Sequence, residues 1–252
     1  MRILFLADIH SNLEALEACL RAGKKWDLLV NLGDAVGYGA DPNAVIERVR
    51  PLGGIRVRGN HDHAVLDKKL QEGFNPIAAQ AVQWTRNVLT PENLDWLAGL
   101  SAGPVADARL PQTQFVHGSP ADEDEYVMSV SSALRVLRGS TMELIFFGHT
   151  HFQSAMEYRD GQVQNIPPSY NVEPGVPERC DLPLEAGARY LVNPGSVGQP
   201  RDGDWRAAFA LYDSGSRLVS FWRVPYEVEQ AKQKILAAGL PQRLASRLSE
   251  GR

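Results

Sequence analysis

At 252 residues the chain is long for one domain and short for two, so a single large domain is the simplest expectation. Hydrophobic residues make up 44% and charged residues 22%, a globular balance that excludes a largely disordered chain. With 26 basic against 30 acidic side chains the net charge is −4, so the broad cationic face of a general nucleic-acid binder is not expected.

The apolar N-terminal run, residues 3–7, stops at Asp8. It is too short for a signal peptide or a bilayer span, and no other run is long enough, so no membrane partner is expected. Cys19 and Cys180 could form at most one bridge, which points to a reducing, cytoplasmic setting. Residues 2–7 read as a buried strand. Ser11-x-x-Glu14 makes a capping box for a helix carrying Leu13, Leu16 and Leu20 on one face. A second strand spans 28–32, and Asp41-Pro42 starts a helix with Val45, Ile46 and Val49. A third strand spans 55–58. This alternation predicts a parallel α/β core.

Residues 64–100 read as a helical insert, with Thr90-Pro91 opening its last helix. Strands are expected at 114–116 and 144–147, with a helix around 131–138 between them. Residues 161–190 hold five prolines (167, 168, 174, 177 and 183) and little periodicity, and read as a surface excursion. Strands resume at 190–192, 207–212 and 218–224. A terminal helix from about Tyr226 is closed by Gly239, with Pro241 beyond.

The six histidines, at 10, 61, 63, 117, 149 and 151, are the most informative residues. Five motifs follow predicted strands: Asp8-Ile-His10, Gly33-Asp34, Gly59-Asn60-His61-Asp62, His117-Gly, and Gly148-His149-Thr-His151. Ligand sites in open α/β sheets lie at the carboxyl ends of strands, so these motifs should converge. In extended backbone, residues i and i+2 share a side. Asp8 with His10, and His149 with His151, are therefore each expected to reach one ion together. Asp, Asn and His donors without thiolate suit Mn, Fe, Zn, Co or Ni. Seven such groups exceed what one ion takes from a protein, whereas two ions sharing a carboxylate would use them all. Singly each motif is ordinary; together and in order they are not. His63, beyond the turn, reads as a surface or helix-entry residue.

The five blocks resemble the calcineurin-like binuclear metallophosphoesterase superfamily, and residues 193–201 (Asn-Pro-Gly-Ser-Val-Gly-Gln-Pro-Arg) resemble its small bacterial and archaeal phosphodiesterase branch. The resemblance implies a four-layer α/β/β/α sandwich. It implies a metal-dependent phosphoesterase that cleaves a phosphodiester or phosphomonoester, a nucleotide being one candidate, by attack of a dimetal-bound hydroxide. Two divalent transition-metal ions would be its cofactors. By the same carry-over, Asp8, His10, Asp34 and His151 would hold one ion. Asp34, Asn60, His117 and His149 would hold the other, with Asp34 bridging. His61 would act near the leaving group as a protonated imidazole, with Asp62 orienting it. Asn12 and Arg201 are candidate phosphate contacts.

Other phosphate chemistries lack their signatures. There is no P-loop, and Gly37-Tyr-Gly-Ala-Asp-Pro fails the dinucleotide fingerprint. Asp202-Gly-Asp204 lacks the strand of an aspartyl-phosphate hydrolase and reads as a turn. Gly195-Ser196-Val-Gly198 is not a nucleophile elbow. The alternative from a different class is a non-catalytic scaffold on the same fold, disfavoured by the intact His61. A small phosphorylated substrate is the expected partner, selected by residues in 64–100 or 161–190, and a homo-oligomer stays open.

Overall fold

The first strand is apolar and buried from Ile3 to Leu6 because both of its faces are covered. In chain order the N-terminal elements are β1 (Arg2–Leu6), α1 (Leu13–Ala22), β2 (Leu28–Asn31), α2 (Pro42–Val49), β3 (Ile55–Arg56), α3 (Asn60–Leu66), α4 (Pro76–Val88) and α5 (Pro91–Ala98). There follow β4 (Val105–Ala106), β5 (Thr113–Phe115), α6 (Val130–Gly139), β6 (Leu144–Phe146), β7 (Gln153–Arg159), β8 (Gln162–Asn165), β9 (Glu178–Pro183) and β10 (Arg189–Pro194). The chain ends with β11 (Ala207–Asp213), β12 (Leu218–Val224), α7 (Val228–Ala237) and α8 (Gln242–Glu250). The computed structural model describes residues 1–171 and 175–252, the side chains of 68, 71 and 72 excepted.

Two mixed sheets form, ordered β3-β2-β1-β11-β12-β9 and β4-β5-β6-β10-β7-β8. The parallel neighbours are β3, β2 and β1 in one and β5, β6 and β10 in the other. Ile3 and Phe5 point between the sheets, toward Phe115, Phe146 and Tyr190. The Phe5 and Phe146 rings stack with centroids 3.7 Å apart. Leu4 and Leu6 point the other way, into a core shared with Leu16 of α1, Ile235 of α7 and Leu244 of α8. Across the second sheet, Ile145 and Leu191 pack with Ala133 and Leu137 of α6. Helix, sheet, sheet and helix make the expected four-layer α/β/β/α sandwich. The side chains of α3, α4 and α5 join Val36 and Ile46 in a satellite core.

Several local expectations are corrected. The N-cap of α1 is Asn12, whose Oδ1 accepts from the Ala15 amide at 3.1 Å. Ser11 sits at φ +54 with its hydroxyl buried and unpartnered, so no capping box forms. β3 is two residues long: beyond it Val57 donates to the Asn31 carbonyl at 2.9 Å and meets Ser101 through an isolated bridge. The 161–190 segment contains β8 and β9. β9 alternates half-buried and exposed residues against β12 at a sheet edge, where Pro183 is tolerated. Pro174 lies outside the described residues. The expected terminal helix is followed by another, α8, whose Leu244, Ala245 and Leu248 face the core.

Candidate metal centre

The loops after β1, β2, β3, β5 and β6 meet at one end of the sandwich. Backbone hydrogen bonds lash them together: Asp8 N to Gly33 O, His10 N to Asp34 O, and Gly148 N to His117 O, at 2.8–3.0 Å. The 193–201 stretch supplies the binding. Ser196 Oγ donates to the Asp8 carbonyl at 2.8 Å, and Asn193 Nδ2 donates to the Gly148 carbonyl at 2.8 Å. At Gly198 an added Cβ would lie 1.8 Å from the Ile9 carbonyl oxygen, so the two loops touch only because the side chain is missing.

Two groups of ligand atoms result. Asp8, His10, Asp34 and His151 each offer one atom, all within 4.8 Å of one another, and Asp34, His117 and His149 do the same. Asp34 belongs to both. Asn60 Oδ1 lies 3.2 Å from His117 Nε2, beside the second group. All seven predicted ligand positions therefore lie at one locus, but not by extended-strand geometry. Asp8, His10, Asp34, His149 and His151 all have φ between +48° and +66°. The chain curls left-handed at each, a conformation that costs side-chain-bearing residues energy and clusters at functional sites. As a result His149 and His151 fall into different groups and do not share one.

The donor set fits metal. His10, His117 and His151 each place Nδ1 against a backbone carbonyl, of Val36 at 3.1 Å, Leu32 at 2.8 Å and Gln199 at 2.6 Å. A carbonyl can only accept, so each Nδ1 carries the proton and Nε2 is the atom each ring would offer to an ion. The three Nε2 atoms point inward. His10 and His117 lie 3.5 Å from Asp34 Oδ2, and His151 lies 3.5 Å from Asp8 Oδ1. The Nε2 atoms of His10 and His151 are 3.1 Å apart. Converging acceptors of this kind are what a cation holds together, and nitrogen with oxygen suits divalent transition metals.

Burial and neighbouring charge compete across the site. Burial pushes the Asp8 carboxyl up to about 7 and the His149 imidazole down to about 3, whereas at His117 the Asp34 and Asp8 carboxylates overcome it and raise the imidazole to about 10. Burial opposes ionisation of Asp34 too, but His117 and His61 beside that carboxylate hold it well below the usual range. Gly59 permits this crowding: a Cβ there would sit 2.1 Å from Asp34 Oδ1.

His61 is buried, and its Nδ1 has no hydrogen-bond partner among the described residues. Its ring lies between Tyr38, Phe74 and His10, at centroid distances of 4.3, 4.7 and 4.8 Å. Burial, the strongest influence on it, lowers its pKa to about 4, against the pull of the Asp34 carboxylate. Asp62 does not orient it. Both Asp62 oxygens accept backbone amides, from Val36 and Gly59 at 3.1 Å, so this carboxylate ties the loops of Asp34 and Asn60 together.

Asn12 is committed elsewhere as well. Besides capping α1 it donates to the Gly198 carbonyl and the Tyr226 hydroxyl, which leaves no group for a phosphate. Arg201 fits its expectation better: its Nε is buried and unpartnered, and its guanidinium lies 5.7 Å from the Tyr38 ring centroid. Arg247 of α8 approaches the same ring to 5.9 Å. Burial and then Arg201 lower its pKa to about 10. His63 lies outside both ligand groups and binds Glu123 through Nδ1 at 2.7 Å. Asp202 and Asp204 do form a turn, and they clasp Arg223 and Arg206.

Sequence reasoning missed Tyr38, Phe74, Tyr126 and Arg247. For Arg247 the signal was the helical spacing of Leu244 and Leu248; for Tyr38, the Gly-Tyr-Gly turn just after Asp34.

Comparison with known proteins agrees. A family model described as calcineurin-like phosphoesterase matches residues 1–153. An uncharacterized protein of Methanocaldococcus jannaschii is 35% identical, covering 99% of this chain and 98% of its own. The crystal structure of a metallophosphoesterase from Sphaerobacter thermophilus superposes with a TM-score of 0.87 at 35% identity, over 100% of this chain and 99% of that one. A hypothetical protein from Pyrococcus horikoshii shares the fold, with a TM-score of 0.79 at 21% identity over 100% and 98%.

Proposed function

The chain belongs to the calcineurin-like phosphoesterase family, and from that premise we propose that it is a metal-dependent hydrolase of small phosphodiesters or phosphomonoesters. The observation that carries the reading is Asp34, shared by two groups of converging ligand atoms. Asp8, His10, Asp34 and His151 would hold one divalent ion, and Asp34, Asn60, His117 and His149 a second; Mn, Fe, Zn, Ni and Co all suit these donors. Such ions, when bound, acidify water for attack on phosphorus and offset charge on phosphoryl oxygens.

The protein's own groups do the rest. The carbonyls of Leu32, Val36 and Gln199 keep three imidazoles in the tautomer that presents Nε2. His61, buried with its Nδ1 unpartnered among the described residues, would hydrogen-bond the reacting phosphate and guide a proton to the leaving oxygen. The unpartnered Nε of Arg201 would meet phosphate charge. Two free cysteines accord with a reducing cytoplasm.

The test is turnover of a nitrophenyl phosphodiester and monoester by protein stripped with chelator and then reloaded with each ion. Activity that vanishes on stripping and returns on loading is expected. Full turnover by demonstrably metal-free protein overturns the reading. No turnover with any ion favours the scaffold alternative.

A further inference from the structure

Beside the ligand groups opens a pocket of about 420 Å³, within the range that holds small organic ligands. Asn60, His61 and His149 form its inner end. Its walls carry Tyr38, Phe74 and Tyr126, and among the described lining residues there is no lysine or arginine. The charged side chains there are carboxylates, Glu123 and Asp124.

Tyr126 is the unusual residue. It is 52% exposed, yet its ring is held 4.1 Å from the His149 ring at an interplanar angle of 35°. Its loop is anchored on every side. The Asp124 carbonyl lies 3.1 Å from His149 Nε2, Glu123 grips Arg58 and His63, and Glu125 grips Arg135. An aromatic face presented to solvent from a fixed loop is a preformed stacking surface. On the other wall, Phe74 meets His61 edge-on at 4.7 Å. The two aromatic walls thus rest on two histidines of the site, one a candidate ligand and the other the candidate proton guide.

Resting on the phosphoesterase reading above, we propose that this pocket receives a planar, uncharged aromatic ring on the organic side of the phosphoester, stacked on Tyr126. Charge argues against a second phosphate in this space: Arg58 and His63 are already taken by Glu123, no lysine or arginine is among the described lining residues, and the Asp124 carboxylate lines the wall. A flexible polyol would leave the Tyr126 and Phe74 faces unmatched. A flat ring covers them, and its edge N–H or C–H groups can face the carboxylates.

The proposal is tested by binding, without turnover. Phenylphosphonate and methylphosphonate, which differ by the ring, are titrated calorimetrically into the full chain in Mn²⁺ buffer. Phenylphosphonate is expected to bind about tenfold tighter. Tyr126→Ala should reduce that preference to about threefold or less, and Tyr126→Phe should keep it, because stacking needs the ring and not the hydroxyl. Tyr126 is half exposed, so both variants should fold; circular dichroism checks this. Equal binding of the two ligands to the wild type, or a preference undiminished in Tyr126→Ala, overturns the aromatic pocket and leaves the phosphoesterase reading standing. Binding of neither ligand overturns the aromatic pocket, while the phosphoesterase reading stands or falls on the nitrophenyl ester turnover above.

Discussion

The amide of His61 donates to Oδ1 of Asp34 at 2.8 Å, while Oδ2 of the same carboxylate lies 3.5 Å from His10 and His117. One oxygen is fixed by the loop after β3, and the other faces ligand nitrogens of both groups. Asp34→Asn keeps the shape and removes the charge, so both ions should bind more weakly together. Metal analysis after dialysis should find well under two ions per chain, with turnover down by about 10² or more. Two retained ions and normal turnover would remove Asp34 from the bridging position.

His61→Ala separates proton guidance from metal binding. His61 belongs to neither group of ligand atoms, so metal content should stay at the wild-type level. Turnover should fall by about 10²–10⁴, the span of a positioned acid or base. The loss should be smaller for nitrophenolate than for alkoxide leaving groups, since nitrophenolate needs little protonation. Equal losses for both would count against a proton-guiding role.

Asn12→Ala tests the reassignment of Asn12 from phosphate contact to helix cap. Losing the cap should cost about 1 kcal/mol, with a further loss from the freed Gly198 carbonyl and Tyr226 hydroxyl. The melting temperature should drop by several degrees, and KM should stay near the wild-type value. A rise in KM without a drop in melting temperature would restore the phosphate contact.

Asp204 binds the buried Arg206 at 2.7 Å and lies 3.9 Å from Arg223. Burial works against its ionisation, but its Arg206 hydrogen bonds and the charge of Arg223 prevail and hold the carboxyl below its ordinary value. Its stabilisation is therefore complete above the unfolded carboxylate pKa near 4 and is lost as pH falls through the lower folded value. Asp204→Asn should cost about 3 kcal/mol at neutral pH, because it leaves buried guanidinium charge under-compensated. The melting temperature should fall by roughly 6–12 °C, and the gap from wild type should narrow in acid. A variant as stable as wild type at pH 7 would contradict this.

Ligand imidazoles must be neutral and ligand carboxylates ionised, so metal competes with protons at this site. Bound metal and activity should decline together below about pH 6, where ordinary histidines protonate. Chelator at neutral pH should abolish activity while far-ultraviolet dichroism stays native, since three separate apolar cores hold the two sheets and their helices. Loss of secondary structure on chelation would show that the ions hold the fold.

The sequence by itself determined the residue types of the site and their order along the chain. Five motifs, each placed just after an apolar run, are enough to mark strand ends, because strands announce themselves by local hydrophobicity. The family resemblance and the sandwich expected from it came from those same short blocks. What the sequence could not carry was backbone direction inside the loops. The left-handed turns at Asp8, His10, Asp34, His149 and His151 are imposed by hydrogen bonds to loops up to 188 residues away, such as Ser196 Oγ to the Asp8 carbonyl. Hence the expectation that His149 and His151 would share an ion failed. The partners of Asp62 and Asn12 were hidden for the same reason: a carboxylate or amide near a histidine looks functional until its oxygens are seen to be taken by backbone. Tyr126 and Phe74 carry no motif. Only packing against His149 and His61 makes them walls of a pocket, and packing between distant segments is decided by the tertiary structure alone.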